Sequence, residues 1–332
     1  MIEYANQLAE KGHEVVIYYA LQIPYLKSNT PVALRWVYFN LFTPPHWFKL
    51  HSSIRRKVVV RVADNTIADG DIIFYTWWAL SYDIKNLNPA KGKVFNLIQD
   101  LEFWTGHEEE VKKSYFLPEI NNVVIAAYIR KFIQSIQNVP VKQIPFAIDH
   151  EKFRIKKAIA ERNPISVCMM YSREPRKGSK IGLAAIQKLR RQFPKMEVNL
   201  FSVFDFEEET ELTEGINFYK RPSDLPDIMN RAAVFISPSI QEGCALPPME
   251  AMHCGCALVC SDIEGHSEYA FDNQTALLFK TEDVDSLVEK VTLLFADQAL
   301  RDRIATAGNA FIKKNTWSYS TDVLLSVFSE EL

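Results

Sequence analysis

The sequence predicts an α/β protein built from two Rossmann-like parallel-sheet domains facing a cleft. Three observations carry this. Strand-like and helix-like segments alternate along the whole chain, the signature of parallel α/β sheets. The alternation stops at Pro145-Phe-Ala-Ile-Asp149, crosses a charged stretch at 152–162, and restarts. The 332 residues suffice for two domains of ordinary size. The first domain opens with a helix from Ile2, closed by Gly12. Strands follow at 13–19, 57–62, 71–75, 93–98, 123–126 and 141–144. In the second domain strands are expected at 165–171, 197–203, 216–219, 233–237, 257–260 and 276–279. Helices are expected at 182–193, 224–231, 286–296, 300–314 and 319–328. The resulting boundaries are 1–147, 148–312, and a terminal helix in 313–332 packing back on the first domain.

Composition narrows the function classes. A formal charge of −3 argues against a general nucleic-acid binder. Five cysteines without a CxxC suit a reduced, cytoplasmic chain. No apolar run reaches the roughly 18 residues of a membrane span.

The densest chemical information lies between Glu242 and Glu250. The segment Ser237-Pro-Ser-Ile-Gln-Glu242-Gly-Cys-Ala-Leu-Pro-Pro-Met-Glu250 follows a strand, and Gly255 closes the helix that it opens. Pro247 and Pro248 fit a first helical turn, where a missing N–H costs nothing. Glu242 therefore lies on a loop and Glu250 on a short helix. The amides of Gly243, Cys244, Ala245 and Leu246 are free to face an anion at the helix start. A carboxylate just beyond can accept bonds from ribose hydroxyls. The pattern suits a nucleotide diphosphate carrying a polyhydroxylated group.

In that frame the chain resembles the GT-B glycosyltransferases of family 4, the retaining group 1 enzymes. The resemblance rests on Arg173-Glu-Pro-Arg-Lys177-Gly178, the Glu242/Glu250 pair, Ser261-Asp-Ile-Glu-Gly265, Glu268, and 273–279. It is thinner in the first domain, at Leu8–Val15 and Pro145–Asp149. It implies Glu242 as a catalytic group beside the donor sugar and Glu250 on the ribose. It implies Arg173 and Lys177 on the diphosphate, with the amides of residues 243–246 facing sugar and phosphate. Asp100 is the candidate catalytic group on the acceptor side, with Glu102 nearby. The implied reaction moves a sugar from a nucleotide-diphosphate sugar to a glycan or lipid-linked acceptor with retention, in bacterial surface polysaccharide synthesis. No metal and no cofactor are implied.

Two other readings stay open: a non-catalytic GT-B chain that binds a nucleotide sugar or supports a partner enzyme, and a sugar-nucleotide epimerase. Met1 falls inside what reads as the family's first helix, so the first strand and Gly-rich loop are expected to be missing. On that expectation the start lies upstream, the chain is a fragment, or it is degraded and inactive alone. Gln99 stands where relatives carry histidine, and Glu264 replaces a usual glycine.

Several motifs have a plainer reading. Asp100 can simply cap the following turn. Cys254, Cys256 and Cys260 do not have zinc spacing, and Cys256 and Cys260 sit in a strand-like run where they serve as small apolar residues. Asp283-Val-Asp285 marks a helix start. Trp36–Phe42, Pro44–Phe48 and Arg55–Lys57 form an aromatic and basic block. It suits core packing or a cleft wall, with peripheral contact to an anionic membrane surface as the alternative.

Overall fold

The computed structural model describes residues 1–42, 49–206 and 215–332. The chain divides into two compact units, Met1–Phe146 with Trp317–Leu332, and Ala147–Thr316. The sequence-based crossings were 147/148 and 312/313.

In the first unit, β1 (Val16–Ala20) and β2 (Arg55–Val59) form a parallel pair. β3 (Ile72–Tyr75), β4 (Lys93–Ile98), β5 (Ile120–Val124) and β6 (Val141–Gln143) form a separate parallel sheet in that order. β2 begins two residues before its expected start. The side chains of Arg55, Arg56 and Lys57 are exposed, so no apolar alternation marks them as strand; backbone pairing with β1 does. One core cluster joins Phe95 and Leu97 of β4, Val123 of β5 and Tyr4 of the first helix. Leu324, Val327 and Phe328, from the terminal helix Trp317–Ser329, complete it. The Tyr4 and Ser320 hydroxyls share a hydrogen bond of 2.7 Å, fixing the two helices against each other.

The helix Val32–Phe42 corrects an expectation. It buries no residue, so its aromatic run is not core. Leu34, Val37, Tyr38, Leu41 and Phe42 form a helical i, i+3, i+4, i+7, i+8 stripe, and all five are exposed. Phe39 points the other way and meets Tyr19 of β1. Residues Pro44 to Phe48 of the same block lie outside the described residues.

The second unit holds one six-stranded sheet. Its strands are β7 (Asn163–Met170), β8 (Glu197–Ser202), β9 (Ile216–Lys220), β10 (Ala232–Ser237), β11 (Ala257–Ser261) and β12 (Ala276–Phe279). All pairings are parallel, in the order β12-β11-β10-β7-β8-β9. β10 and β11 are buried at every position, as strands covered on both faces must be. Asp283 is the N-cap of the helix Val284–Ala296, its carboxylate accepting the Ser286 amide at 3.0 Å. Strand order runs outward one way from β7 and the other way from β10. The carboxyl ends of β7 and β10 therefore flank the topological switch point, where open α/β sheets bind ligands.

Candidate active site

Two loops leave the switch point: residues 171–178 after β7, and 238–245 after β10. They are clamped together through glycine. Gly178 has φ +65°, and a Cβ there would sit 1.8 Å from the Pro238 carbonyl oxygen. The amides of Ile240 and Gln241 both donate to the Arg176 carbonyl, at 2.7 and 3.2 Å. A third loop closes from below: a Cβ on Gly265 would lie 2.2 Å from the Glu242 carbonyl oxygen. Only glycine permits either approach.

This clamp holds a buried carboxylate. Glu242 is 6% exposed. Lys177 Nζ donates to both of its oxygens, at 2.8 and 2.7 Å. Ser239 Oγ donates to Oε1 at 2.8 Å, and Arg176 Nη1 stands 3.9 Å from Oε2. Lys177, expected at a diphosphate, is thus held in place by the carboxylate expected at the sugar. Sequence reasoning missed Ser239 and Arg176. Their signal was positional, three residues before Glu242 and one before Lys177. Beneath them His266 is buried, its Nδ1 2.9 Å from the Ser261 carbonyl, and burial lowers its pKa.

The amides between the glutamates are open. Those of Gly243, Cys244 and Ala245 have no hydrogen-bond acceptor among the described residues. Ala245 is the N-cap of the helix Leu246–His253, and Leu246 is half exposed at its start. The positive end of the helix therefore faces the same space as the free amides. Burial pushes the Cys244 thiol well up, so it is an unreactive lining residue.

Glu250 is partly buried on that helix, and its carboxylate makes no hydrogen bond or ion pair with a described residue. Burial raises its pKa to about 7; Lys152 opposes this and Asp149 adds to it. An unengaged carboxylate on a rigid helix has acceptor capacity to spare. One turn later His253 is buried and stacks on His150 at 4.3 Å, and burial lowers the pKa of both rings. Cys254, Cys256 and Cys260 are buried, and the Cys256 thiol donates to the Met229 carbonyl at 3.1 Å.

Arg173 shares the 171–178 loop with Lys177. Its guanidinium covers the Phe204 ring at 5.6 Å and donates to the Asp205 carbonyl at 3.3 Å. In the first unit Asp100 is buried after β4. Its Oδ1 accepts the Leu101 amide at 2.8 Å and the Tyr128 hydroxyl at 3.3 Å, a local capping arrangement.

The arrangement defines a class: an α/β protein whose parallel-sheet switch point carries a buried lysine–carboxylate pair and open backbone amides, with a second carboxylate on the helix that follows. Comparison with known proteins places it further. Residues 149–311 match the family of glycosyl transferases group 1. A segment of 91 residues is 33% identical to a Campylobacter jejuni N,N'-diacetylbacillosaminyl-diphospho-undecaprenol alpha-1,3-N-acetylgalactosaminyltransferase, covering 27% of this chain and 24% of the relative. A segment of 110 residues is 30% identical to the Escherichia coli O-antigen chain mannosyltransferase B, covering 33% of this chain and 28% of the relative. These matches thus span about a quarter of the length of the curated relatives. The structure of sucrose-phosphate synthase from Thermosynechococcus elongatus superposes with a TM-score of 0.74 at 14% identity, over 99% of this chain and 92% of that one. The fold is GT-B, and the second unit is a group 1 glycosyltransferase domain.

Proposed function

We propose that the protein transfers a sugar, with retention, from a nucleotide-diphosphate sugar to a glycan or lipid-linked acceptor. The observation that carries this is the switch-point constellation. The Lys177–Glu242–Ser239 cluster and three free amides sit on the loops that follow β7 and β10, and the helix after them carries an unengaged Glu250. Each part has a task. Glycosyl transfer develops positive charge on the sugar ring and negative charge on the departing diphosphate. Lys177, Arg173, the amides of residues 243–246 and the helix start stabilise the leaving group. Glu242 faces the sugar and fixes the Lys177 ammonium. Glu250 accepts the ribose hydroxyls. On the acceptor side, Asp100 orders the turn that follows β4.

The family match and the relatives' printed names, which include lipid-linked and O-antigen acceptors, support a role in surface polysaccharide or glycolipid assembly. No helix among the described residues is long and apolar enough to cross a membrane. Peripheral contact is the reading we give the exposed stripe on Val32–Phe42, which packs beside β2 and its exposed Arg55, Arg56 and Lys57.

The test begins with a thermal-shift panel of UDP-, GDP- and dTDP-sugars. One donor should stabilise the protein. NMR of the product formed from that donor should then show the donor's anomeric configuration. Inverted product refutes retention, and no stabilisation by any donor refutes the function.

A further inference from the structure

Six described residues other than glycine hold the left-handed backbone conformation, and three of them meet in one place on the first unit. Tyr25, Trp77 and Glu102 have φ of 63°, 90° and 57°. Side chains of this kind resist that conformation and persist in it where the surrounding structure demands it, commonly at functional sites. Trp77 and Trp78 directly follow the carboxyl end of β3, and Glu102 follows that of β4, so the cluster occupies the ligand-binding edge of a parallel sheet.

Trp78 belongs to the core of the first unit, and the rings over it form a partly exposed patch. The Tyr25 ring lies 5.0 Å from Trp78, 5.4 Å from Tyr82 and 5.3 Å from His107, and remains 46% exposed. Trp77, Tyr82, Glu102 and His107 are partly buried. The Glu102 carboxylate accepts the Trp78 amide at 3.3 Å. The Trp78 indole N–H is buried and has no acceptor among the described residues.

We propose that this patch is a saccharide-binding site, in which a pyranose ring stacks on Tyr25 and a ring hydroxyl bonds to Glu102. Half-exposed aromatic rings supply an apolar face for the sugar's C–H surface, and a single polar group at its edge fixes orientation. An aromatic cage with a carboxylate can also hold an organic cation. Burial argues against that here. It raises the Glu102 carboxyl to about 7, toward a neutral group that both donates to and accepts from hydroxyls. Identifying this saccharide as the acceptor rests on the proposed transferase function; the binding itself does not.

Saturation-transfer NMR on the full chain without nucleotide tests it, using methyl α-D-mannoside, methyl α-D-glucoside and methyl β-N-acetyl-D-glucosaminide. At least one should bind in the millimolar range, and Tyr25→Ala and Glu102→Gln should each weaken it at least about tenfold. Both variants should keep the parent's thermal-shift response to nucleotide sugars. No binding of any glycoside up to about 50 mM, or equal binding by both variants, overturns the site. So does binding of tetramethylammonium in place of every glycoside. Failure of the parent to bind any glycoside while it still binds a donor sinks this site alone, whereas absence of donor binding sinks the transferase reading.

Discussion

Separating Lys177 from Glu242 should destabilise the second unit, and the size of the loss follows from burial. The Glu242 side chain is 6% exposed and that of Lys177 is 17%. Glu242→Ala leaves a largely buried ammonium without its two carboxylate bonds. Lys177→Met leaves a buried carboxylate with the Ser239 hydroxyl and a more distant Arg176. Removing one member of a buried ion pair costs about 3–5 kcal/mol, because an uncompensated charge stays behind. Arg176 at 3.9 Å should hold the Lys177→Met loss toward the lower end. Removing both groups together leaves no stranded charge, so the double variant should lose less than the sum of the singles. The expected coupling is about 2–3 kcal/mol. Urea unfolding of the full chain, with hydrogen exchange at β7 and β10 reporting on the second unit, measures it. If the two single losses add to within about 0.5 kcal/mol, the pair is not an interacting unit and the reasoning fails.

Gly178→Ala and Gly265→Ala should each lower stability by about 1–3 kcal/mol, since a methyl group meets a carbonyl oxygen in both cases. Thermal denaturation reads the loss, and a neutral outcome refutes the clamp. Glu250, with its folded pKa raised to about 7 from 4.5, binds more protons folded than unfolded between those values. Its contribution to stability is therefore full below pH 4.5 and lost as pH rises through 7. Glu250→Gln should be more stable than the parent at pH 8 and no more stable at pH 4 in denaturant titrations; a pH-independent difference contradicts this. The lowered pKa values of His150, His253 and His266 act oppositely. Their neutral rings favour folding above about pH 6.5 and cost stability as pH falls below it, so His253→Gln should flatten the acid limb of the stability profile. Replacing Leu34 and Leu41 together by Asp should abolish co-sedimentation with anionic vesicles without lowering the melting temperature, because both side chains are exposed; unchanged sedimentation argues against the membrane reading.

The second unit was legible residue by residue because its strands are buried on both faces and its punctuation is explicit. Pro247, Pro248 and Gly255 framed the Glu250 helix, and the alternation located all six of its strands to within about two residues. The first unit was harder to read. β2 begins in three exposed basic residues, and Val32–Phe42 turns its apolar stripe outward, so patterns that elsewhere report burial report the opposite there. At the candidate site, residue types announced the carboxylates but not their partners. The pairing of Lys177 with Glu242 spans 65 positions and depends on β7 and β10 lying side by side, which only strand order determines. The left-handed conformations at Tyr25, Trp77 and Glu102 carry no mark in the sequence, because these residue types rarely adopt them.

On the proposed function, the loops at the β7/β10 switch point hold a nucleotide-diphosphate sugar. Calorimetric titration of the stabilising donor into the parent, Lys177→Met and Glu250→Ala tests it most directly. One site is expected in the parent and a loss of about 10- to 100-fold in each variant, the worth of a hydrogen bond to a charged group. Parent-like affinity in both variants, with the fold intact, would contradict it.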